Sequence, residues 1–300
     1  MAFDPKKLLA MLPIQRFRNP PPVVAVLRLS GVIGRAGRFQ NGIELGGLAD
    51  HIETAFSMKG VSAVALAINS PGGAPAQANL VYARIRAFAA EKEVPVIAFA
   101  EDVAASGGYW LACAGDEIYA DENSILGSIG VISASFGFQE LMNKIGVERR
   151  VHAQGDRKSM LDPFQPESDA DLKRLNVIQK DIHNNFKRLV HDRRGDRLTI
   201  SDRKLFSGDV WTGREALEAG LIDGLGELRD VLRQRFGDRV KIKLVGGRTS
   251  VLKRLFGRGL SGVNMQGTSI GDVLGDAAAA WPTKILATIE ERAFWSRFGL

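Results

Sequence analysis

Three hundred residues, 45% hydrophobic and 25% charged, suffice for one domain of roughly 200 to 250 residues with tails, or for two small ones. The single cysteine, Cys113, excludes an internal disulfide, and no run reaches the roughly 18 uninterrupted apolar residues of a membrane span. The formal net charge of +6 gathers at the ends, about +3 before Pro20 and about +5 from Lys241 onward, leaving about −2 between them. Basic ends suit a membrane surface or a nucleic acid. No nucleic-acid motif accompanies them, so no nucleic-acid partner is expected, and no metal or cofactor either. The N-terminus shows no secretory apolar region, so the chain is expected in the cytoplasm, with the inner face of the membrane as the other site to consider.

Residues 1–22 form a basic extension in which Leu8, Leu9, Met11, Leu12 and Ile14 alternate with basic residues up to Pro20-Pro-Pro22. Val23–Leu29 is the first predicted strand and Ile43–Met58 the first helix. A second strand, Val61–Ile68, ends in Asn69-Ser-Pro-Gly-Gly73 and feeds a helix from about Ala74 to Lys92. The apolar run Val94–Ala100 then leads to a turn and a helix opening at Ser106, followed by a short strand, Glu117–Ala120. Strands alternating with helices predict parallel βα units and an α/β fold.

Asp121–Gly127 reads as a loop, Phe138–Ile145 as a helix and Val147–His152 as a strand. A polar loop, Ala153–Phe164, carries Lys158. Pro166, Ser168 and Asp171 have the spacing of a helix start. The long helix that follows keeps Leu172, Leu175, Ile178, Ile182, Phe186 and Leu189 on one face. Trp211–Gly224 supplies a further helix and turn, and Val240–Val245 closes a core domain spanning 23–245. Residues 246–300 form a basic extension whose helical pattern resumes at Trp281, with Ile285, Leu286, Ile289, Ala293 and Phe298 on one side. That side needs cover from a neighbouring subunit, a partner or a bilayer surface.

Two stretches carry the chemistry. A serine at a helix start lies among unpaired N–H groups and the positive end of the helix dipole, which favour developing negative charge. Gly107 and Gly108 leave bare backbone beside the Ser106 hydroxyl, so a substrate carbonyl can approach. The plainer reading is a serine N-cap with glycines for packing. Gly72 and Gly73, at the end of a strand, can aim N–H groups into the cleft above a sheet; an ordinary Pro-Gly turn would look the same. Cys113 lies in an apolar run and reads as core.

A serine nucleophile needs a base. His51, His152, His183 and His191 are the four histidines, and none has the spacing of a Ser-His-Asp triad; His183 and His191 are expected to face solvent. Lysine serves when burial lowers its pKa, by roughly three units at a cost of about 4 kcal/mol to be half neutral near pH 7 to 8. Lys158 is followed by Leu161, Pro163 and Phe164, a desolvating environment, although an exposed loop lysine fits the composition equally well.

Five motifs in order settle between these alternatives by resemblance. Asn69-Ser-Pro-Gly-Gly73, Ala105-Ser-Gly-Gly-Tyr109, Gly127-Ser-Ile-Gly-Val131, the Lys158 loop and Gly208–Asp223 together resemble the signal peptide peptidase A family, from about Val23 to Val245. The resemblance implies a single Clp/crotonase-like core of repeated ββα units. It also implies a Ser–Lys dyad, with Ser106 as nucleophile, Lys158 as general base and Ser128 hydrogen-bonded to the lysine. Gly73, together with Gly72, and Gly107 would supply the oxyanion hole. The implied substrates are unfolded or membrane-derived hydrophobic peptides such as cleaved signal peptides. Unlike many members, the chain is expected to have no N-terminal membrane anchor. The long helix and the Clp-like fold predict a closed homo-oligomer. Two other classes remain to be weighed: a crotonase-type enzyme acting on a CoA thioester, and a non-catalytic oligomeric scaffold.

Overall fold

The structure, a computed structural model, describes residues 20–34, 42–155, 157–246 and 295–298. Its elements run in chain order from β1 (Val23–Ser30), α1 (Leu45–Phe56), β2 (Val61–Ser70), α2 (Pro75–Lys92) and β3 (Val96–Ala105) to α3 (Gly107–Ala112), β4 (Glu117–Ala120) and β5 (Ile125–Gly127). After these come α4 (Gln139–Ile145), α5 (Asp169–Arg194), α6 (Asp202–Leu205), β6 (Val210–Thr212), α7 (Gly213–Glu218), β7 (Gly224–Leu225), α8 (Leu228–Phe236) and β8 (Lys241–Leu244).

Among the described residues the strands form one sheet in the order β6-β5-β3-β2-β1-β8, with β4 beside β3 and β7 beside β4. Every pairing is parallel except β5 with β6. The α/β class expected from the sequence is the one found.

The near-continuous apolar strands are explained by burial on both faces, which parallel sheets require. Successive side chains point to opposite faces. Ala25, Leu27, Leu29, Leu66, Ile68 and Ala98 join the large core under α1, α2, α3 and α5. Val24, Val26, Ala65, Ile97 and Phe99 form a smaller core that α8 closes with Leu232. Tyr109, fully buried, donates its hydroxyl to the Leu221 carbonyl at 2.7 Å and ties α3 to the turn after α7.

The C-terminal end of α5 is clamped to the sheet by arginines. Arg193 reaches the carbonyls of Cys113 and Gly115, at 2.9 and 2.8 Å. Arg194, only 2% exposed, pairs with Asp223 at 2.7 Å and donates to the Gly220 carbonyl at 2.9 Å. Asp116 accepts from Arg86 at 2.7 Å and from the Val96 N–H at 2.9 Å. Burial raises the pKa of both carboxyls, but the hydrogen bonds and neighbouring arginines outweigh it and hold them below the ordinary carboxylate value. Cys113 is core as expected, its thiol pushed up to about 12 by burial.

Two predicted elements differ. Val147–His152 alternates like a strand but finds no partner; these residues are irregular and exposed. Residues 125–127, read as loop, form β5 against β3 and β6. The N-cap of α5 is where the spacing put it, Ser168 accepting the Asp171 N–H at 3.1 Å. The apolar stripe of α5 is fully buried only in its second half, at Phe186 and Leu189. Leu172, Leu175, Ile178 and Ile182 are half-buried.

Before them, residues 132–155 are exposed almost throughout, Phe136 at 77% and Ile132 at 67%. The amphipathic pattern before Pro20 lies outside the described residues. Of the one beginning at Trp281, only 295–298 are described, a turn closed by Phe298 N–H on the Trp295 carbonyl at 2.9 Å.

Candidate active site

The ends of β2 and β3 build the site. β3 runs straight into Ser106, whose φ of 52° and ψ of −121° turn the chain sharply before α3 begins at Gly107. A non-glycine residue in that region is strained by about 1 to 3 kcal/mol, and such strain gathers where a side chain must be presented. The result is a strand–elbow–helix turn of the kind that lifts a serine above a sheet. The Ser106 hydroxyl makes no capping bond. The elbow is pinned from both sides: its N–H donates to the Gly127 carbonyl at 2.7 Å, and its carbonyl accepts the first helical bond from Trp110 at 3.0 Å.

The glycine loop lies directly against this turn. A Cβ placed on Gly72 would come 2.8 Å from the Ser106 Cβ and 3.0 Å from Gly107 N. One on Gly107 would sit 3.5 Å from Gly73 N. Ile33 holds the loop down, donating to the Gly72 carbonyl at 2.8 Å and accepting from Ala74 at 2.9 Å. The Gly72 N–H is engaged with the Ser70 hydroxyl at 3.3 Å. Gly73 and Gly107 carry no such partner for their N–H groups among the described residues. Of the three glycines expected at an oxyanion hole, all lie together, and two have a donor to spare.

Ser128 sits one residue beyond the carbonyl that holds Ser106. It is buried, has a φ of 50° and donates its N–H to the Asp209 carbonyl at 2.7 Å. The sequence placed Ser106, Gly72, Gly73, Gly107 and Ser128 in separate motifs, and the fold gathers them.

Lys158 comes from the stretch between α4 and α5. It is exposed on the loop before α5, its N–H bonds the Gly155 carbonyl at 3.0 Å, and no hydrogen bond joins its ammonium to Ser106 in the single chain.

His183, expected to be solvent-facing, is half-buried, and its Nε2 lies 3.3 Å from the carbonyl of Ile129, next to Ser128. Burial, and then the charge of Lys187, lower its pKa against that hydrogen bond. No hydrogen bond links it to Ser106. Among the described residues no group of His, Cys, Asp and Glu could hold a metal ion.

A strained serine at a strand–helix elbow, pressed against a glycine loop with spare N–H groups, has the layout of a nucleophilic acyl-transfer site. The family model for peptidase family S49 matches residues 89–240, about half of the chain, and the chain belongs to that family. The likeness to signal peptide peptidase A that the motifs carry follows with that membership.

The chain is 32% identical over 216 residues to a chloroplastic serine protease SPPA of Arabidopsis thaliana, covering 68% of this chain and 31% of that one. It is 30% identical over 220 residues to Protease 4 of Haemophilus influenzae, covering 72% and 35%. A Brucella abortus protein named Na(+)/H(+) antiporter NhaA is 47% identical over 295 residues, covering 98% of this chain and 39% of that one.

The chain thus spans about a third to two fifths of the length of these relatives. No helix among its described residues is long and apolar enough to cross a membrane. A solved membrane-bound stomatin-specific protease with a substrate peptide matches at a TM-score of 0.47 and 14% identity, over 79% of this chain and 96% of that one.

Proposed function

We propose that this chain is a serine endopeptidase that cleaves unfolded or membrane-derived hydrophobic peptides through a Ser106–Lys158 dyad. One observation carries the reading. The strained Ser106 elbow abuts Gly72, and Gly73 and Gly107, whose N–H groups have no hydrogen-bond partner among the described residues, flank the same contact, which supports a site where a peptide carbonyl would sit.

In this mechanism the Ser106 Oγ attacks the carbonyl carbon while its proton passes to the neutral Lys158 amine. The oxyanion forms against the Gly73 and Gly107 N–H groups. As the C–N bond breaks, the lysine ammonium gives its proton to the departing amine, leaving an acyl ester on Ser106. Water, deprotonated by Lys158, then releases the acid and restores the serine. Ser128 orients the amine, and its conformation is fixed by the same turn that holds Ser106.

Lys158 is a base only where water is excluded. The exposed apolar residues of 132–151, together with the half-buried face of α5, supply the surface for that exclusion when copies of the chain assemble. Homo-oligomer formation is therefore part of the proposal. The same surface is suited to hydrophobic peptides.

Fluorophosphonate labelling with mass mapping tests the reading. Wild-type protein should be modified at Ser106, and Ser106→Ala and Lys158→Ala should each lose peptide hydrolysis by orders of magnitude without adding. A Lys158→Ala protein that keeps most of its activity refutes the dyad. Labelling elsewhere refutes the nucleophile, and a crotonase-type thioester activity that survives Ser106→Ala would replace the reading.

A further inference from the structure

β2 and β3 keep parallel register from Val64 opposite Val96 to Ile68 opposite Ala100, and resume it at Ser70 opposite Ala104. Between those pairs β2 has only Asn69, whereas β3 has Glu101, Asp102 and Val103. Extra residues on one strand break the ladder and leave backbone groups unmatched.

The Asn69 side chain fills the gap. Its Nδ2 donates to Asp102 Oδ2 at 2.6 Å, and its Oδ1 accepts the Val103 N–H at 3.3 Å. Only one orientation of the carboxamide satisfies both partners, because a carboxylate must accept and an N–H must donate. The backbone carbonyl of Asn69 meanwhile accepts from Gly31 on the β1 side at 2.9 Å. Across β3 the buried Ser124 hydroxyl donates to the Glu101 carbonyl at 2.5 Å. This is the point where β3 exchanges β4 as its neighbour for β5.

The consequence falls on the site. Gly72 and Ser106 each stand two residues beyond the restored pair Ser70 and Ala104, and they are the residues that touch. A slip of one residue would place Ala105 against Gly72 and reverse which side chains face the cleft.

We propose that Asn69 is a positioning residue for the reaction, resting on the reading of Ser106 as nucleophile. Its carboxamide locks the two-residue offset between β2 and β3 and so sets the glycine-loop N–H groups in phase with the serine. Aspartate at this position would set two carboxylates against each other.

The test uses the full chain with Asn69→Asp, the exchange Asn69→Asp/Asp102→Asn, and Asp102→Ala. Acylation of Ser106 by a fluorophosphonate, kcat and KM on a peptide substrate, and thermal melting are measured for each. Asn69→Asp should slow acylation about 10- to 100-fold through kcat with KM near wild type, the range expected when reacting groups are misplaced by about an ångström. The exchange should restore the rate to within about threefold, since a carboxylate at 69 still accepts from Val103 and the new carboxamide at 102 donates to it.

Wild-type acylation in Asn69→Asp, or an exchange no faster than the single variant, overturns the inference. So does a loss matched wholly by loss of folded protein. Should Asn69→Asp fail to fold, Asp102→Ala, altered at an exposed side chain, must still acylate more slowly than wild type; an unchanged rate overturns the inference. Wild-type protein unlabelled at Ser106 removes the peptidase reading and this inference together, whereas labelled wild type beside an equally fast Asn69→Asp removes the inference alone.

Discussion

Gly72→Ala tests how closely the glycine loop and Ser106, the proposed nucleophile, are coupled. The added methyl would lie 2.8 Å from the Ser106 Cβ, 3.0 Å from Gly107 N and 3.1 Å from the Ala105 carbonyl oxygen. No flexible side-chain end is among these neighbours, so relief requires the two loops to part. Reaching an ordinary contact of about 3.4 Å with Ser106 means a movement of roughly 0.6 Å. Gly72 also has a φ of +108°, which an alanine holds only under strain of about 1 to 3 kcal/mol.

In the proposed mechanism, the movement would carry the adjacent Gly73 N–H away from the oxyanion position. Losing one such donor altogether costs about 100- to 1,000-fold, so a partial displacement should slow acylation of Ser106 by about 10- to 100-fold. The rate of fluorophosphonate labelling, measured beside the melting temperature, gives the answer. Labelling within twofold of wild type in a normally folded Gly72→Ala protein would show that the loop does not serve the serine.

Acid should weaken the clamp on α5. The pKa values of Asp116 and Asp223 are lower in the folded protein than the unfolded value near 4, so their contribution is present above that value and is lost as pH falls through the folded one. Melting temperature should drop from pH 5 toward pH 2, and Asp223→Asn, which leaves Arg194 buried without its charge partner, should lower it at pH 7 and flatten the acid dependence. Equal acid slopes for wild type and variant would place the effect elsewhere. Ile132→Asp/Phe136→Asp should shift light-scattering mass toward monomer and reduce labelling of Ser106; a wild-type monomer at micromolar concentration would refute the assembly argument.

The alternation of strands and helices was legible because β1, β2 and β3 are apolar runs bounded by turns, and their buried faces demand such runs. The full length of β3 was not, because Glu101 and Asp102 interrupt the run. Those charges are tolerated where β3 changes neighbours and the ladder opens. Val147–His152 shows the converse: alternation proposes a strand, but only a partner makes one. Residue types marked Ser106 and the glycines, while the positive φ that presents the serine is a property of the closed fold and has no signature in a serine. Asn69 stood in a recognisable motif without its role being visible, since that role depends on an offset between strands separated by a helix. His183 looked exposed among charged neighbours, and only the course of α5 past Ile129 gives it a partner.

Strand β8 pairs with β1 in parallel, Val23 opposite Lys241 through Val26 opposite Leu244. Over 200 residues of chain separate the two, so β1, the earliest of the described strands, waits for the latest of them. At ~5 to 20 residues per second that interval is roughly 10 to 40 s, during which one edge of Val23–Ser30 offers unpaired backbone and apolar side chains to any passing strand. Among the described strands, β1 is therefore the one left open to mispairing for longest on the ribosome. Loss of the β8 segment should lower the yield of soluble protein more than its small buried area would indicate.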